Sequence, residues 1–172
     1  LVLTNPTPYS TKLELEKDGE GNIMIPYSSV QAIGDFLVIA EEGSSGKLMF
    51  KRVVDLKDKA LSELKLSESR YADDAFAGLT FKVIAKQASS VEMISLQDCS
   101  ESVAFVEDRR ALVLKDAAVN WVDLSTGAGF CSNSICSELS EDGASSKIRY
   151  LFVGKNTQIK DVLTSVIHKA PH

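Results

Sequence analysis

Three cysteines and two histidines are the side chains of this 172-residue chain that could bind a metal or act as nucleophile and base. They are Cys99, Cys131, Cys136, His168 and His172. A structural zinc site needs four thiol or imidazole ligands. Cys131 and Cys136 are separated by four residues, but the only two histidines both lie at the extreme C-terminus, which argues against a zinc site. The odd number of cysteines also argues against a framework of disulfides. We therefore predict reduced cysteines, no metal site and no cofactor.

No catalytic motif accompanies these side chains. The chain has no nucleophile elbow, no glycine-rich phosphate loop and no His-Glu-x-x-His pattern. A Cys–His pair would need His168, whose place at the end of a predicted helix is typical of an exposed residue. We therefore predict that the protein is not an enzyme. A cysteine-dependent enzyme is a third interpretation, which rapid alkylation of Cys131 or Cys136 at neutral pH would support.

Basic and aromatic residues in the second half form another candidate site. A single-stranded nucleic acid is bound by a positive groove with aromatic platforms for the bases. Arg109 and Arg110 add to the basic residues near the strands, whereas Trp121 equally fits a packing role. We expect weak, salt-sensitive binding, because the whole chain carries a net charge of −5. The candidate RNA-binding residues are Lys115, Trp121, Lys147, Arg149, Tyr150 and Lys155.

Composition indicates a protein that packs a core. Hydrophobic residues make up 44% of the chain and charged residues 25%, which is ordinary for a globular protein. There is no run of 18 apolar residues and no secretory signal pattern. We therefore predict no membrane insertion and a cytoplasmic location.

Alternation of apolar and polar residues predicts that most of the chain is β-strand. Strands are expected at 12–17, 23–25, 36–40, 47–55, 79–86, 91–96, 102–106, 111–114, 119–124, 130–139 and 146–154. The stretch 55–69 is ambiguous, and we predict a short helix or a turn followed by a strand. Short strands with frequent turns predict small antiparallel barrels or a sandwich, and 36–40 with 47–55 resembles a hairpin.

The end of the chain is predicted to be a helix. Ile159, Val162, Leu163, Val166 and Ile167 follow helical spacing over 156–169 and form one apolar stripe. Ile159, Val162 and Val166 are the predicted partner or oligomer interface. The polar segment 87–90 is the predicted linker, so the expected units are 1–87, rich in strands, and 88–172, a barrel with the C-terminal helix, which also fit one continuous domain.

The second half resembles coronavirus non-structural protein 9, a small RNA-binding replicase subunit. The resemblance rests on Val119-Asn120-Trp121, a cysteine-containing strand around Cys136, the strand 147–152, the pair Lys155-Asn156 and one terminal helix. The first half is similar to the C-terminal domain of non-structural protein 8. That similarity rests on 23–26, 36–39 and 79–84, and Lys86-Gln87-Ala88 resembles a main-protease junction.

The resemblance implies a non-enzymatic viral replicase accessory protein. It would bind single-stranded RNA weakly and other viral replicase proteins more firmly, in replication complexes of the host cytoplasm, with a possible homodimer. The phosphates would be contacted by Lys115, Lys147, Arg149 and Lys155. Trp121 or Tyr150 would stack on bases. The alternative is a structural or assembly module, such as a virion or tail component, without nucleic-acid binding.

Overall fold

Eleven β-strands, and no helix, make up the part of the chain that the computed structural model describes, namely residues 9–15, 19–26, 31–53, 75–99 and 101–170. The strands are β1 (Tyr9–Leu15), β2 (Gly19–Pro26), β3 (Gln31–Ala40), β4 (Ser45–Val53), β5 (Ala75–Ala85), β6 (Ser90–Gln97), β7 (Val103–Val113), β8 (Ala118–Ser125), β9 (Phe130–Leu139), β10 (Ser145–Phe152) and β11 (Ile159–His168).

The strands alternate between two parallel sheets. The odd-numbered strands β1 to β11 form a six-stranded sheet, and the even-numbered strands form a five-stranded sheet in the order β10-β8-β6-β4-β2. Each strand pairs in parallel with the strand two places further along the chain. The backbone therefore winds as a β-solenoid, in which each coil adds one strand to each sheet.

The core fills the space between the two sheets. Every second residue of β9 is buried from Cys131 to Leu139, and β6 and β8 show the same alternation. Because neighbouring strands pair in register, like positions form rows that cross a sheet. In one row the rings of Phe36 and Phe81 stack with centroids 4.7 Å apart.

The turns that precede β4, β6, β8 and β10 share one conformation. Each has a residue of positive φ two places before its strand: Gly43 (66°), Ala88 (56°), Asp116 (55°) and Gly143 (71°). The amide of Gly43 donates to the carbonyl of Gln87 at 2.9 Å, and Ala88 and Asp116 make equivalent bonds to the next turn. Over the last coils this turn recurs about every 28 residues, a period typical of solenoids.

The helix predicted at 156–169 is wrong, because these residues form β11. Spacing of i, i+3 and i+4 also suits a strand that has apolar residues on both faces, and β-branched Ile159, Val162 and Thr164 favour an extended backbone. Pairing with β9 along the whole of β11 satisfies the backbone groups that point towards β9. Tertiary hydrogen bonding therefore decides the element.

The antiparallel barrel or sandwich is also wrong. The expected hairpin of 36–40 and 47–55 corresponds to β3 and β4, which lie in different sheets and share no ladder. The turn between β3 and β4 has four residues, a length that also suits a hairpin. In the solenoid this turn carries the chain from one sheet to the other. Turn length alone therefore does not distinguish a hairpin from a solenoid corner.

Two predicted segments have different outcomes. Residues 87–90 form the turn between β5 and β6 and the first residue of β6, where the Ser89 Oγ donates to the Lys86 carbonyl at 2.7 Å. The division into two units at this point stays a prediction. The helix or turn expected at 55–69 lies outside the described residues.

Among the described residues, no helix is long and apolar enough to cross a membrane.

Candidate functional site

Three charged side chains lie inside the solenoid. Glu107 and Arg109 point inward from β7, and Asp123 points inward from β8 in the opposite sheet; each is at most 5% exposed. Arg109 follows Phe81 in the row that crosses the six-stranded sheet. Along this row the interior side chain therefore changes from aromatic on β5 to charged on β7.

Arg109 joins the two carboxylates. Its Nη1 donates to Oδ1 of Asp123 at 2.5 Å, and its Nε lies 3.3 Å from Oε2 of Glu107. Burial disfavours the charged guanidinium, but the charges of Glu107 and Asp123 outweigh burial and raise the pKa of Arg109 above its ordinary value. The guanidinium therefore stays charged in the core, held by carboxylates from both sheets.

Trp121 packs on this ionic cluster. The Cζ of Arg109 lies 5.7 Å from the centroid of the indole ring, within the range of a cation–π interaction. The Nε1 of Trp121 donates to Oγ of Ser137 at 3.0 Å, and the Oγ of Ser146 donates to the same atom at 2.8 Å. The fully buried Trp121 thus connects the charges to hydroxyl groups on β9 and β10.

Tyr150 extends the polar interior onto β10. Its hydroxyl accepts a hydrogen bond from Nδ2 of Asn133. Burial and then nearby Cys131 raise the pKa of Tyr150, while hydrogen bonds to Asn133 and Ser125 and the charge of Arg109 act in the opposite direction. The net effect keeps the phenol protonated at neutral pH.

Several polar atoms of this interior have capacity for further hydrogen bonds. The Nε2 of Gln97, Nη2 of Arg109 and Oδ1 of Asn133 are buried and make no hydrogen bond to the described residues. The other end of Gln97, Oε1, accepts from Oγ of Ser125 at 2.8 Å, and that Oγ lies 3.6 Å from Sγ of Cys131. Buried polar atoms are normally paired, so the first three of these atoms depart from that rule within the described residues.

The three cysteines form no disulfide and lie in different surroundings. Cys99 and Cys131 are buried, and Cys136 is half-buried. Cys136 faces outward on β9, in register with Arg110 of β7 and Ser165 of β11. Within the described ranges, no three Cys, His, Asp or Glu side chains come together in a group that could hold a metal ion.

Comparison with protein families identifies the chain. The model of the SufBD core domain, described as SUF system FeS cluster assembly, matches residues 27–172. The chain belongs to the SufBD core domain family. No curated protein and no solved structure matches it.

Membership of the SufBD family shows that the viral interpretation is wrong. The resemblance to non-structural proteins 8 and 9 fails, and with it fail the replicase function, the partners single-stranded RNA and viral replicase proteins, and the location in viral replication complexes. The alternative of a virion or tail module has no support either. Short alternating segments in a similar order carry little information, because many β proteins share them.

The residues predicted to bind RNA do not lie together in the structure. Trp121 and Tyr150 point inward, and Trp121 is fully buried, so neither forms an outer platform for bases. Lys115 lies in the turn before β8, whereas Lys155 follows the end of β10. Because β8 and β10 are parallel, the two lysines lie at opposite ends of the strands, roughly 26 Å apart along the strand direction. Lys147 and Arg149, which are exposed, remain neighbours on the outer face of β10.

The predicted interface residues do not form one stripe. Ile159 is in register with outward-facing Phe130, whereas Val162 is in register with inward-facing Asn133. Val166 faces the same way as Val162, because the two are four residues apart on one strand. A homodimer through a continuous helical stripe therefore has no such surface in the described chain.

The interior cluster was absent from the sequence prediction. Arg109 and Arg110 are adjacent cations in the sequence, yet they face opposite sides of β7. The available signal was alternation, since Phe105, Glu107 and Arg109 share one face of the strand. A charged pair on an otherwise apolar face is the pattern that marks an ionic core.

Proposed function

We propose that this SufBD core domain takes part in iron–sulfur cluster assembly in the SUF system as a non-catalytic scaffold, with the cluster as its cargo. The observation that carries the proposal is the family match over residues 27–172. The solenoid suits a scaffold, because its sheets present side chains at regular spacings of about 4.8 Å between strands.

Cysteine thiolates are the usual protein ligands of iron–sulfur clusters. Cys136 is the thiol best placed to meet a cluster from outside, because it faces outward while Cys99 and Cys131 lie in the core. Since no group of three donors occurs within the described residues, the remaining ligands would come from another SUF protein or from a small thiol.

Anaerobic cluster assembly tests this proposal. The chain is incubated with the other SUF proteins, ferrous iron, cysteine and reductant, and bound iron, bound sulfide and visible absorption are measured after gel filtration. We expect a cluster in the complex that contains this chain, and its loss in Cys136→Ser. The buried Cys99→Ser variant is the matched control and should retain the cluster.

The control without this chain separates function from site. Equal cluster formation by the other proteins in its absence would overturn the proposed function. A full cluster yield with Cys136→Ser, together with dependence on the chain, would retain the function and exclude Cys136 as a ligand.

A further inference from the structure

The outer face of the five-stranded sheet carries an apolar groove. Outward positions of a half-exposed sheet are normally polar, and one row across this sheet follows that rule with Lys47, Glu92, Asn120 and Lys147. The next two rows are largely apolar. The outward residues that line the groove are Met49, Ile94, Leu96, Val122, Leu124, Arg149 and Leu151.

The groove is broad, spans four strands and has a volume of about 480 Å³. From β4 to β10 it measures roughly 14 Å, which equals three strand spacings. Leu151 is 61% exposed and Met49 46% exposed, so no described residue covers the two sides of the groove. A contiguous apolar patch rimmed by polar residues is typical of a protein interaction site.

The backbone pairing decides which element fits the groove. β6 and β8, which form its floor, are each paired on both sides, so their backbone groups are already satisfied. An added strand would therefore gain no main-chain hydrogen bonds on this face. A helix, with a diameter near 10 Å and about ten residues across four strands, can place an apolar stripe there.

Charged side chains flank the groove on both β4 and β10. On the β4 side, Lys47 forms a salt bridge of 2.9 Å with Glu92. On the β10 side, Lys147 and Arg149 are both exposed, and neither side chain makes an ion pair or hydrogen bond to any described residue. The occupant that complements this surface is therefore acidic where it meets β10.

We propose that this groove binds an amphipathic helix of a partner protein, with acidic residues of that helix against Lys147 and Arg149. The apolar stripe would cover Ile94, Val122 and Leu124. This surface is separate from the outward face that carries Cys136, which belongs to the other sheet.

Titration with designed peptides tests the proposal. The probe is a fluorescent helix of about 14 residues, with a leucine stripe and glutamates along one flank. Matched peptides carry lysines in place of the glutamates, or two central prolines that break the helix. Anisotropy is measured on the whole chain, and far-UV circular dichroism verifies that each variant is folded.

We expect saturable binding of the acidic peptide and weaker binding of both matched peptides. The Leu124→Ser, Leu151→Ser double variant should weaken binding roughly tenfold through lost apolar contact. Charge reversal in Lys147→Glu, Arg149→Glu should favour the lysine peptide over the glutamate peptide. Lys82→Glu, on the outer face of the other sheet, is the matched control and should leave both affinities unchanged.

Three results would overturn the proposal. They are equal binding of the proline peptide, an affinity that the groove variants do not change, and a charge preference that Lys147→Glu, Arg149→Glu does not reverse. Self-association of the chain that the groove variants abolish, without peptide binding, would assign the face to a second copy and also overturn it.

Discussion

The interior beside β7 and the outer face of the five-stranded sheet reverse the usual distribution of polarity. Inside the solenoid, Arg109 places a charge where Phe81 of the preceding coil places an aromatic ring, and Glu107 and Asp123 add two more buried charges. On the outer groove, Val122 and its neighbours place apolar side chains where water would be expected. Strand alternation therefore assigns each residue to a face of the sheet. The polarity of the side chains on that face then indicates what the face contacts.

The two regions differ in how much stability depends on them. A buried ion is tolerated only while its partners remain, so removal of one partner leaves an uncompensated charge in the core. An exposed apolar side chain contributes little to the fold, because it already contacts water in the native state. Stability measurements therefore separate the regions, and binding measurements detect the groove.

The largest effect is expected from Asp123→Ala. This change leaves the buried Arg109 guanidinium without its 2.5 Å partner and should lower the free energy of unfolding by about 3–5 kcal/mol. Urea denaturation followed by circular dichroism measures it. Asp108→Ala, which removes the more exposed pair with Arg110, is the matched control and should cost less than about 1 kcal/mol. Equal losses in the two variants would contradict a buried ionic cluster.

A smaller loss is expected from Trp121→Phe. The change removes the 3.0 Å hydrogen bond to Ser137 and the larger ring beside Arg109, so the free energy of unfolding should fall by about 2 kcal/mol. Thermal and urea unfolding measure the change. Phe130→Leu, at an outward position that is partly exposed, serves for comparison and should cost less. A stable Trp121→Phe variant would show that the indole is not part of the network.

The interior should also make stability depend on alkaline pH. Burial, with Cys131 second, raises the pKa of Tyr150 in the folded chain, so its stabilising contribution is complete below the ordinary tyrosine pKa near 10. That contribution is lost as pH rises through the higher pKa of the folded state. We expect the free energy of unfolding of the wild type to fall more steeply above about pH 10 than that of Tyr150→Phe. Parallel curves for the two proteins would refute the role of Tyr150.

The smallest effect is expected on the outer groove. Leu151→Ser should change the free energy of unfolding by less than about 0.5 kcal/mol, because most of this side chain is already exposed. The inward-facing Val119→Ser, in the same sheet, should cost about 2–4 kcal/mol. Urea denaturation of both variants gives the contrast. A large loss in Leu151→Ser would mean that the chain itself covers the groove.

Much of the strand content was predictable. The expected strands at 91–96, 119–124 and 130–139 agree with β6, β8 and β9 within one residue at each end. Alternation succeeded there because one face of each strand is buried and the other is half-buried. It failed at 156–169, where apolar residues occur on both faces of β11 and imitate the spacing of a helix.

The candidate site was harder to predict. Cys131 and Cys136 were considered as reactive residues only in a third interpretation, a cysteine-dependent enzyme. They are five positions apart on β9, an odd number, so one faces the inside and the other the outside of the solenoid. Trp121 was placed among surface residues as well as among packing residues, and the structure supports packing. The convergence of Arg109 and Asp123 could not be read from their spacing, because they lie on different sheets.

The sequence by itself determined where strands such as β6, β8 and β9 form and which of their side chains share a face, because apolar residues alternate with polar ones there. The tertiary structure alone decided that all strands are parallel, that consecutive strands lie in different sheets, and that 159–168 is a strand. The physical reason is that these features depend on hydrogen bonds between strands that are far apart in the sequence, about 25 residues for β1 with β3 and 45 for β3 with β5. Gly43, Ala88, Asp116 and Gly143 occupy equivalent turns with little in common as residue types, so the repeat is a property of the backbone.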